Sequence, residues 1–211
     1  MSAAAAAEQD TQVGGLRIAT LADAALAAAL PDLADLRISV FRSFPYLYDG
    51  DRAYETRYLD AYARSAGAVV IGAFDGNRLV GAATAAPLED HLDAFAGLAD
   101  RLAVSPTEIF YFGESVLDPA YRGRGVGHAF FDAREAAARA AGRGVAAFCA
   151  VIRPDDHPAR PRDHQPLDGF WRRRGYAPID GFTAPMAWRD LGETQETEKP
   201  MRFWTRRLER V

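Results

Sequence analysis

The run IFYFGESVLDPAYRGRGVGHAFFDA, residues 109–133, constrains the fold more than any other stretch. An apolar segment of β character stops at Pro119. Three glycines then alternate at Gly123, Gly125 and Gly127, flanked by Arg122 and Arg124, and an alanine-rich segment with helical spacing follows. A strand that becomes a helix through glycines turns several main-chain N–H groups toward one point. The helix dipole adds roughly half a positive charge there. Glycine permits left-handed backbone angles and lets an anion reach the main chain with no Cβ in the way. The construction suits a phosphate or pyrophosphate, and a glycine-rich turn without a ligand is the alternative reading.

Two nucleotide motifs fail on this run. A P-loop ends in Gly-Lys-Ser/Thr, whereas Gly127 is followed by His128 and Ala129. A dinucleotide fingerprint spaces its glycines as Gly-x-Gly-x-x-Gly in an opening βαβ unit, and here they alternate late in the chain.

The rest of the chain reads as one α/β domain over residues 16–211. Residues 1–15, MSAAAAAEQDTQVGG, lack a cationic start and an apolar core, so they read as a disordered or tag-like tail and not as a signal peptide. Strands are expected at 16–20, 108–117 and 144–152, with a hairpin through Asp75-Gly76-Asn77 and late strands near 182–189 and 201–208. Helical spacing covers 21–44 with a break at Pro31, then 52–65, 89–102, 126–141 and 167–174. On the helix after the glycines, Val126, Ala129, Phe130, Ala133, Ala137 and Ala140 form the expected sheet-facing stripe.

Partners are bounded by charge. The 211 residues carry a formal net charge of −4, which argues against a nucleic-acid groove or an anionic membrane surface. No apolar stretch nears the roughly 20 residues that span a bilayer. One cysteine, Cys149, rules out an intrachain disulfide and fits a cytoplasmic location. Its mid-strand setting among apolar neighbours reads as a buried thiol. His157, His164 and the aspartates around them match no metal pattern and read as a solvated loop, so no metal is expected.

VLDPAYRGRGVG matches Arg/Gln-x-x-Gly-x-Gly/Ala in its setting and resembles the acyl-CoA loop of the GNAT-type N-acetyltransferase superfamily. The resemblance spans roughly 16–190. It implies a mixed, mostly antiparallel central sheet flanked by helices, with the coenzyme loop between the fourth strand and the next helix. It also implies acetyl-CoA as the acyl donor. Arg122, Gly123, Arg124, Gly125, Val126 and Gly127 would take the pyrophosphate, largely through main-chain N–H. Val116 and Leu117 would pair with the pantetheine arm as an added strand does, and an N–H near them would polarise the thioester carbonyl.

Amide formation from a thioester needs a base for the amine proton. Glu114 interrupts the apolar strand just before the coenzyme residues and is the leading candidate, its carboxyl raised by burial. Tyr111, three residues earlier, is the reserve. The family's fourth helix often carries a tyrosine that protonates the departing thiolate. In HQPLDGFWRRRGY, residues 164–176, Trp171 stands in that slot, and an indole N–H does not transfer a proton. The thiolate then leaves unassisted, or is protonated by His164 or a tyrosine of PYLYDGD, or the protein does not catalyse. Tyr46, Tyr48 and Tyr58 with Asp49, Asp51 and Glu55 resemble an acceptor wall that suits a cationic amine. The expected activity is acetyl transfer to a small-molecule or peptide amine, with a non-catalytic acyl-CoA-binding module as the alternative. Trp204 is either core or a homodimer contact.

Overall fold

The computed structural model describes residues 10–65, 67–91, 95 and 97–209. Eight strands form a single sheet in the order β1-β2-β3-β4-β5-β6-β8-β7. These are Thr11–Val13, Leu16–Leu21, Val69–Asp75, Arg78–Pro87, Ile109–Leu117, Val145–Val151, Ala177–Trp188 and Thr197–Arg207 for β1 to β8 in chain order. All neighbours are antiparallel except β5 and β6, which run parallel. The helices are α1 (Asp23–Phe41), α2 (Arg52–Arg64), α3 (Leu98–Leu102), α4 (Val126–Ala140) and α5 (Asp168–Arg173).

Strand alternation sorts the core into two faces. Val70, Ala82 and Val116 pack with Leu33, Ala34 and Leu59 from α1 and α2. Their neighbours Ile71 and Ala83 pack on the opposite face with Val126 and Phe130 of α4, joined by Val80, which an irregularity opposite Ala73 and Phe74 turns to that side. Further along, Tyr111 joins Phe95 and Leu98 on the first face, while Phe110 and Phe112 join Phe131 on the second.

Several expectations shift. Thr11–Val13 pairs with β2 as strand β1, so the chain enters the sheet before residue 16, and the glycine bend follows β5, the fourth strand counted from residue 16. The expected tail otherwise falls on residues 1–9, outside the described residues. Helix α1 runs unbroken through Pro31. Proline forfeits one helical hydrogen bond, but Ala29, Leu33 and Ala34 on either side of it all face the sheet, and their burial holds the two halves together. The expected helix at 89–102 is a short 3-10 turn at Leu88–His91 and the helix Leu98–Leu102, with 92–94 and 96 outside the described residues. The late strands start earlier, at Ala177 and Thr197. On α4 the buried face is rotated from the alanine stripe: Phe131, Arg134, Glu135 and Ala138 are buried with Val126 and Phe130.

Two irregularities position the site. The β5–β6 pairing covers just Ile109–Tyr111 against Val145–Ala147, beyond which the two strands part. On the other side of β5, Ala83 faces Ser115 and Ala85 faces Phe112, so Gly113 and Glu114 together oppose Thr84. That is a β-bulge, and it resets which face each following side chain takes.

Candidate active site at the opening between the parallel strands

The glycine bend forms as its composition demands. Gly123 has φ +76° and Gly125, the N-cap of α4, has φ +86°. The left-handed region disfavours any residue with a Cβ. Among the described residues the N–H groups of Gly123, Arg124, Gly125, Val126 and Gly127 have no acceptor, and the first helical bond at this end is His128 N–H to Gly125 O at 3.0 Å. The bend is braced from outside. The Tyr121 hydroxyl donates to Asp75 at 2.8 Å. A Cβ on Gly14 in the β1–β2 turn would lie 2.4 Å from Arg124 O, so that turn closes directly on the bend. Arg124 folds back, its guanidinium on Ala120 O at 3.2 Å and over the Tyr121 ring. Arg122 is exposed beside the cradle.

The opening of the sheet leaves one side of β5 unpaired after Tyr111. Asp118 N–H donates to Val80 O at 2.9 Å, which makes that pair hydrogen-bonded and, two residues back, Val116 with Ala82 likewise. Val116 therefore turns its main-chain groups toward β4. This corrects its expected pairing with a bound coenzyme arm. Leu117 and Ser115, the latter not named from the sequence, turn their N–H and C=O toward the opening.

The bulge carries Glu114 to the α1–α2 face. Without the extra residue it would sit with Phe112 on the α4 face. Gly113 is required there, since a Cβ would fall 2.4 Å from the Tyr62 hydroxyl and 2.5 Å from Thr84 Oγ1. Glu114 N–H reaches the same Thr84 Oγ1 at 3.3 Å. The Glu114 carboxylate is 7% exposed and Arg37 of α1 likewise 7%, with Glu55 of α2 fully buried, so these charges meet with little screening. Arg37 Nη1 lies 2.6 Å from Glu114 Oε1, an ion contact without aligned hydrogen-bond geometry, and Arg37 Nε donates to Glu55. Burial alone would lower the Arg37 value, but Glu114, Tyr58 and Glu55 overturn that and hold it above the ordinary range. The Tyr58 hydroxyl donates to Glu114 Oε2 at 3.0 Å. Burial, and then the Glu114 charge, push Tyr58 well above the ordinary tyrosine value, so it holds its proton.

Tyr111 shares the face of Glu114, but its hydroxyl is engaged with Cys149 Sγ at 3.1 Å. Burial pushes the Cys149 thiol up to about 12, so it is a thiol at neutral pH and no nucleophile. Trp171 of α5 packs on Phe148 and Trp204, with ring centroids 5.1 and 5.0 Å away. Trp204 is 1% exposed and so belongs to the core. His128 sits against Arg174 and Phe170 at the α4–α5 junction.

The proline-rich segment 152–166 lies over the loop between α1 and α2. Arg153 donates to Pro45 O and Tyr46 O, both at 2.8 Å, and pairs with Asp190 at 2.7 Å. His164 meets the Phe44 ring edge-on at 4.8 Å, and burial lowers its value. Tyr46 is wedged between Phe41 and Trp188. Among the described residues no group of three or more His, Cys, Asp or Glu is placed to hold a metal ion, and no helix is long and apolar enough to cross a membrane.

A mixed sheet that opens at its one parallel pair, with a bend of unpaired main-chain N–H groups at the foot of the opening, is the arrangement of coenzyme-A-dependent acyltransferase folds. The Acetyltransferase (GNAT) family matches residues 32–162, more than half of the chain, and the chain belongs to it. Members of that family take acetyl-CoA as the acyl donor. No curated protein sequence matches the chain. Solved structures share the fold at low identity. The structure of yncA from Salmonella typhimurium with its cofactor acetyl-CoA is 14% identical with a TM-score of 0.59, covering 93% of this chain and 96% of that one. Ribosomal-protein-alanine N-acetyltransferase from Brucella melitensis is 16% identical, TM-score 0.57, covering 86% and 95%. The polyamine N-acetyltransferase of Drosophila melanogaster, which forms N-acetylagmatine, is 12% identical, TM-score 0.58, covering 90% and 100%.

Proposed function

We propose that the protein moves an acetyl group from acetyl-CoA directly to a primary amine. The observation that carries this reading is the alignment of free main-chain N–H groups over 123–127 with the unpaired edge of β5 beside it. The pyrophosphate would lie on the cradle, assisted by Arg122 and Arg124. The pantetheine arm would add to the edge through Ser115 and Leu117, in the manner of a strand joining a sheet. Val126 and Gly127 supply N–H groups from the first turn of α4.

The proton route follows from the Tyr58–Glu114 hydrogen bond. The amine lone pair forms the C–N bond, and the C–S electron pair leaves on the coenzyme sulfur. The surplus amine proton passes to the Tyr58 oxygen as the Tyr58 proton passes to Glu114 Oε2, so Glu114 is the base acting through Tyr58. Tyr111, tied to Cys149, shapes the floor. The thiolate leaves unassisted, since a thiol of pKa about 8.5 is a fair leaving group, and its proton comes from solvent. The acceptor wall of Tyr46, Tyr48 and Tyr58 beside Asp49 and Glu55 favours a cationic amine.

Calorimetry with acetyl-CoA, followed by thiol release across a panel of polyamines, aminoglycosides and peptide amines, tests the reading. Saturable binding near the micromolar range, about −8 kcal/mol, with amine-dependent thiol release is expected. Absence of binding overturns it. Binding without release from any amine would favour the non-catalytic acyl-CoA module that Trp171, in place of a tyrosine, allows.

A further inference from the structure

Arg134 is the one charged group on the buried face of α4 that has no carboxylate partner among the described residues, and it is 2% exposed. Its guanidinium lies between the rings of Phe112 and Phe131, 4.6 and 4.8 Å from their centroids. Nη1 donates to Glu114 O at 3.2 Å and reaches Thr84 O at 3.4 Å; Nη2 donates to Ser115 Oγ at 2.8 Å, and Nε donates to Phe130 O at 3.1 Å. Burial lowers its value to about 10, which leaves it charged at neutral pH. A bulge breaks the ladder and leaves main-chain groups without their strand partners. Arg134 binds the carbonyls of the two residues that face each other across this one.

The carbonyl of Glu114 and the N–H of Ser115 belong to one planar peptide and point in opposite directions. With the carbonyl turned toward Thr84 and bound by a guanidinium, the Ser115 N–H is turned into the opening where β5 has no partner. A cation on the carbonyl oxygen draws charge from the peptide and strengthens its N–H as a donor, a cooperative effect that grows in a low-dielectric interior. We propose that Arg134 is a positioning residue for acetyl transfer: through the Glu114–Ser115 peptide it aims and polarises the Ser115 N–H at the thioester oxygen. Negative charge gathers on that oxygen as the amine adds, and returns as the C–S bond breaks and the pair leaves on sulfur. A preorganised donor at that point polarises the bound carbonyl and holds it more strongly as charge gathers, so it lowers the barrier more than it stabilises the bound ground state. The inference rests on the acetyl-transfer reading.

The test combines kinetics with vibrational spectroscopy on the full chain. The thioester carbonyl stretch of 13C-acetyl-CoA bound to the wild type is expected below that of the free coenzyme. Arg134→Lys should lose part of that downshift, and Arg134→Met nearly all of it. Because removing an oxyanion donor typically costs about 10²–10³ in rate, Arg134→Met, which weakens the donor without deleting it, should lower kcat by about tenfold or more. Arg134→Lys, which keeps the charge, should recover part of the loss. The acetyl-CoA Kd should stay within about threefold, since the main-chain cradle is untouched. An unshifted carbonyl in the wild type overturns the inference whatever the variants do, as does a folded Arg134→Met with wild-type kcat. A wild type that neither binds acetyl-CoA nor releases thiol overturns the acetyl-transfer reading itself and this inference with it.

Discussion

Arg37 Nη1 and Glu114 Oε1 meet at 2.6 Å, joining the C-terminal part of α1 to the bulge of β5 inside the protein. The same guanidinium also holds Glu55 of α2 and lies over the Tyr58 ring, 4.3 Å from its centroid. One cation thus gathers the two helices of the proposed acceptor wall and the strand that bears the proposed base. Two carboxylates on one arginine leave the cluster with an excess negative charge, and Glu55 Oε1 has no hydrogen-bond partner among the described residues. That excess is the electrostatic reason for expecting a cationic acceptor at this wall.

Removing the arginine therefore strands two buried anions. Breaking a buried pair from one side costs about 3–5 kcal/mol, and Arg37→Met should lose at least that much. Urea unfolding followed by fluorescence is the measurement. A variant as stable as the wild type would mean that the carboxylates find water or protons easily, contrary to their burial.

Replacing Glu114 by glutamine keeps the shape and removes the base. Turnover should fall by about 10²–10⁴, the usual contribution of a positioned proton acceptor, while acetyl-CoA affinity stays close to wild type. Tyr58→Phe should show a comparable loss if the proton passes through that hydroxyl. Steady-state thiol release beside calorimetry separates the two effects. An unchanged Tyr58→Phe with an impaired Glu114→Gln would give the base role to Glu114 without the relay.

The glycine cradle was legible because its chemistry is local. Alternating glycines between an apolar run and a helical run leave few other uses, and the neighbouring strands followed from period-two patterning. The machinery around Glu114 was less legible because its partners lie between 20 residues (Arg134) and 77 residues (Arg37) away along the chain. The clue in the sequence was Gly113, a lone glycine inside an apolar strand, which signals a bulge or a close approach. Reading it as a bulge would have turned Glu114 to the helix face and given Ser115, not Val116, to the opening. Arg37 and Arg134 sit at apolar-face positions of their helices, a pattern that marks a buried charge without naming its partner. Pro31 misled for the opposite reason. Its local rule is sound, but burial of the residues on either side overrides it.

Alkali should unfold the protein earlier than its surface charge suggests. The Cys149 thiol is raised from 9.0 to about 12, by burial, and Tyr58 and Tyr111 are raised by burial as well. A group with a raised folded value contributes its stability fully below its unfolded value and loses it as pH climbs through the folded one. Stability should thus hold level from neutrality to about pH 9 and fall steadily above it, as thiol and phenol groups ionise more readily in the unfolded chain. Thermal unfolding between pH 7 and 11 reads this directly. Iodoacetamide provides a second check, since the half-buried Cys149 with its raised thiol should react more slowly at pH 8 in the folded protein than in urea. Equal labelling rates in the folded and urea-unfolded protein would contradict the raised thiol.

Gly123→Ala isolates the cradle from the fold. A Cβ at Gly123 meets nothing within 4 Å, so the substitution makes no clash in the protein itself. It does place a side chain at φ +76°, which costs roughly 1–2 kcal/mol for an L-residue, and it puts a methyl group where the diphosphate would lie. The thermal midpoint should fall by only a few degrees, the range that about 1 kcal/mol gives a domain of this size. Acetyl-CoA affinity should drop by more than tenfold, because the backbone either relaxes away from the left-handed angle, turning its N–H groups aside, or keeps it and presents the methyl to the ligand. The same substitution at Gly142, also open around its Cβ and at φ +70° beyond the far end of α4, should cost similar stability and leave affinity unchanged. Equal effects of the two alanines on affinity would mean that the bend at 123–127 is not where the coenzyme's phosphates bind.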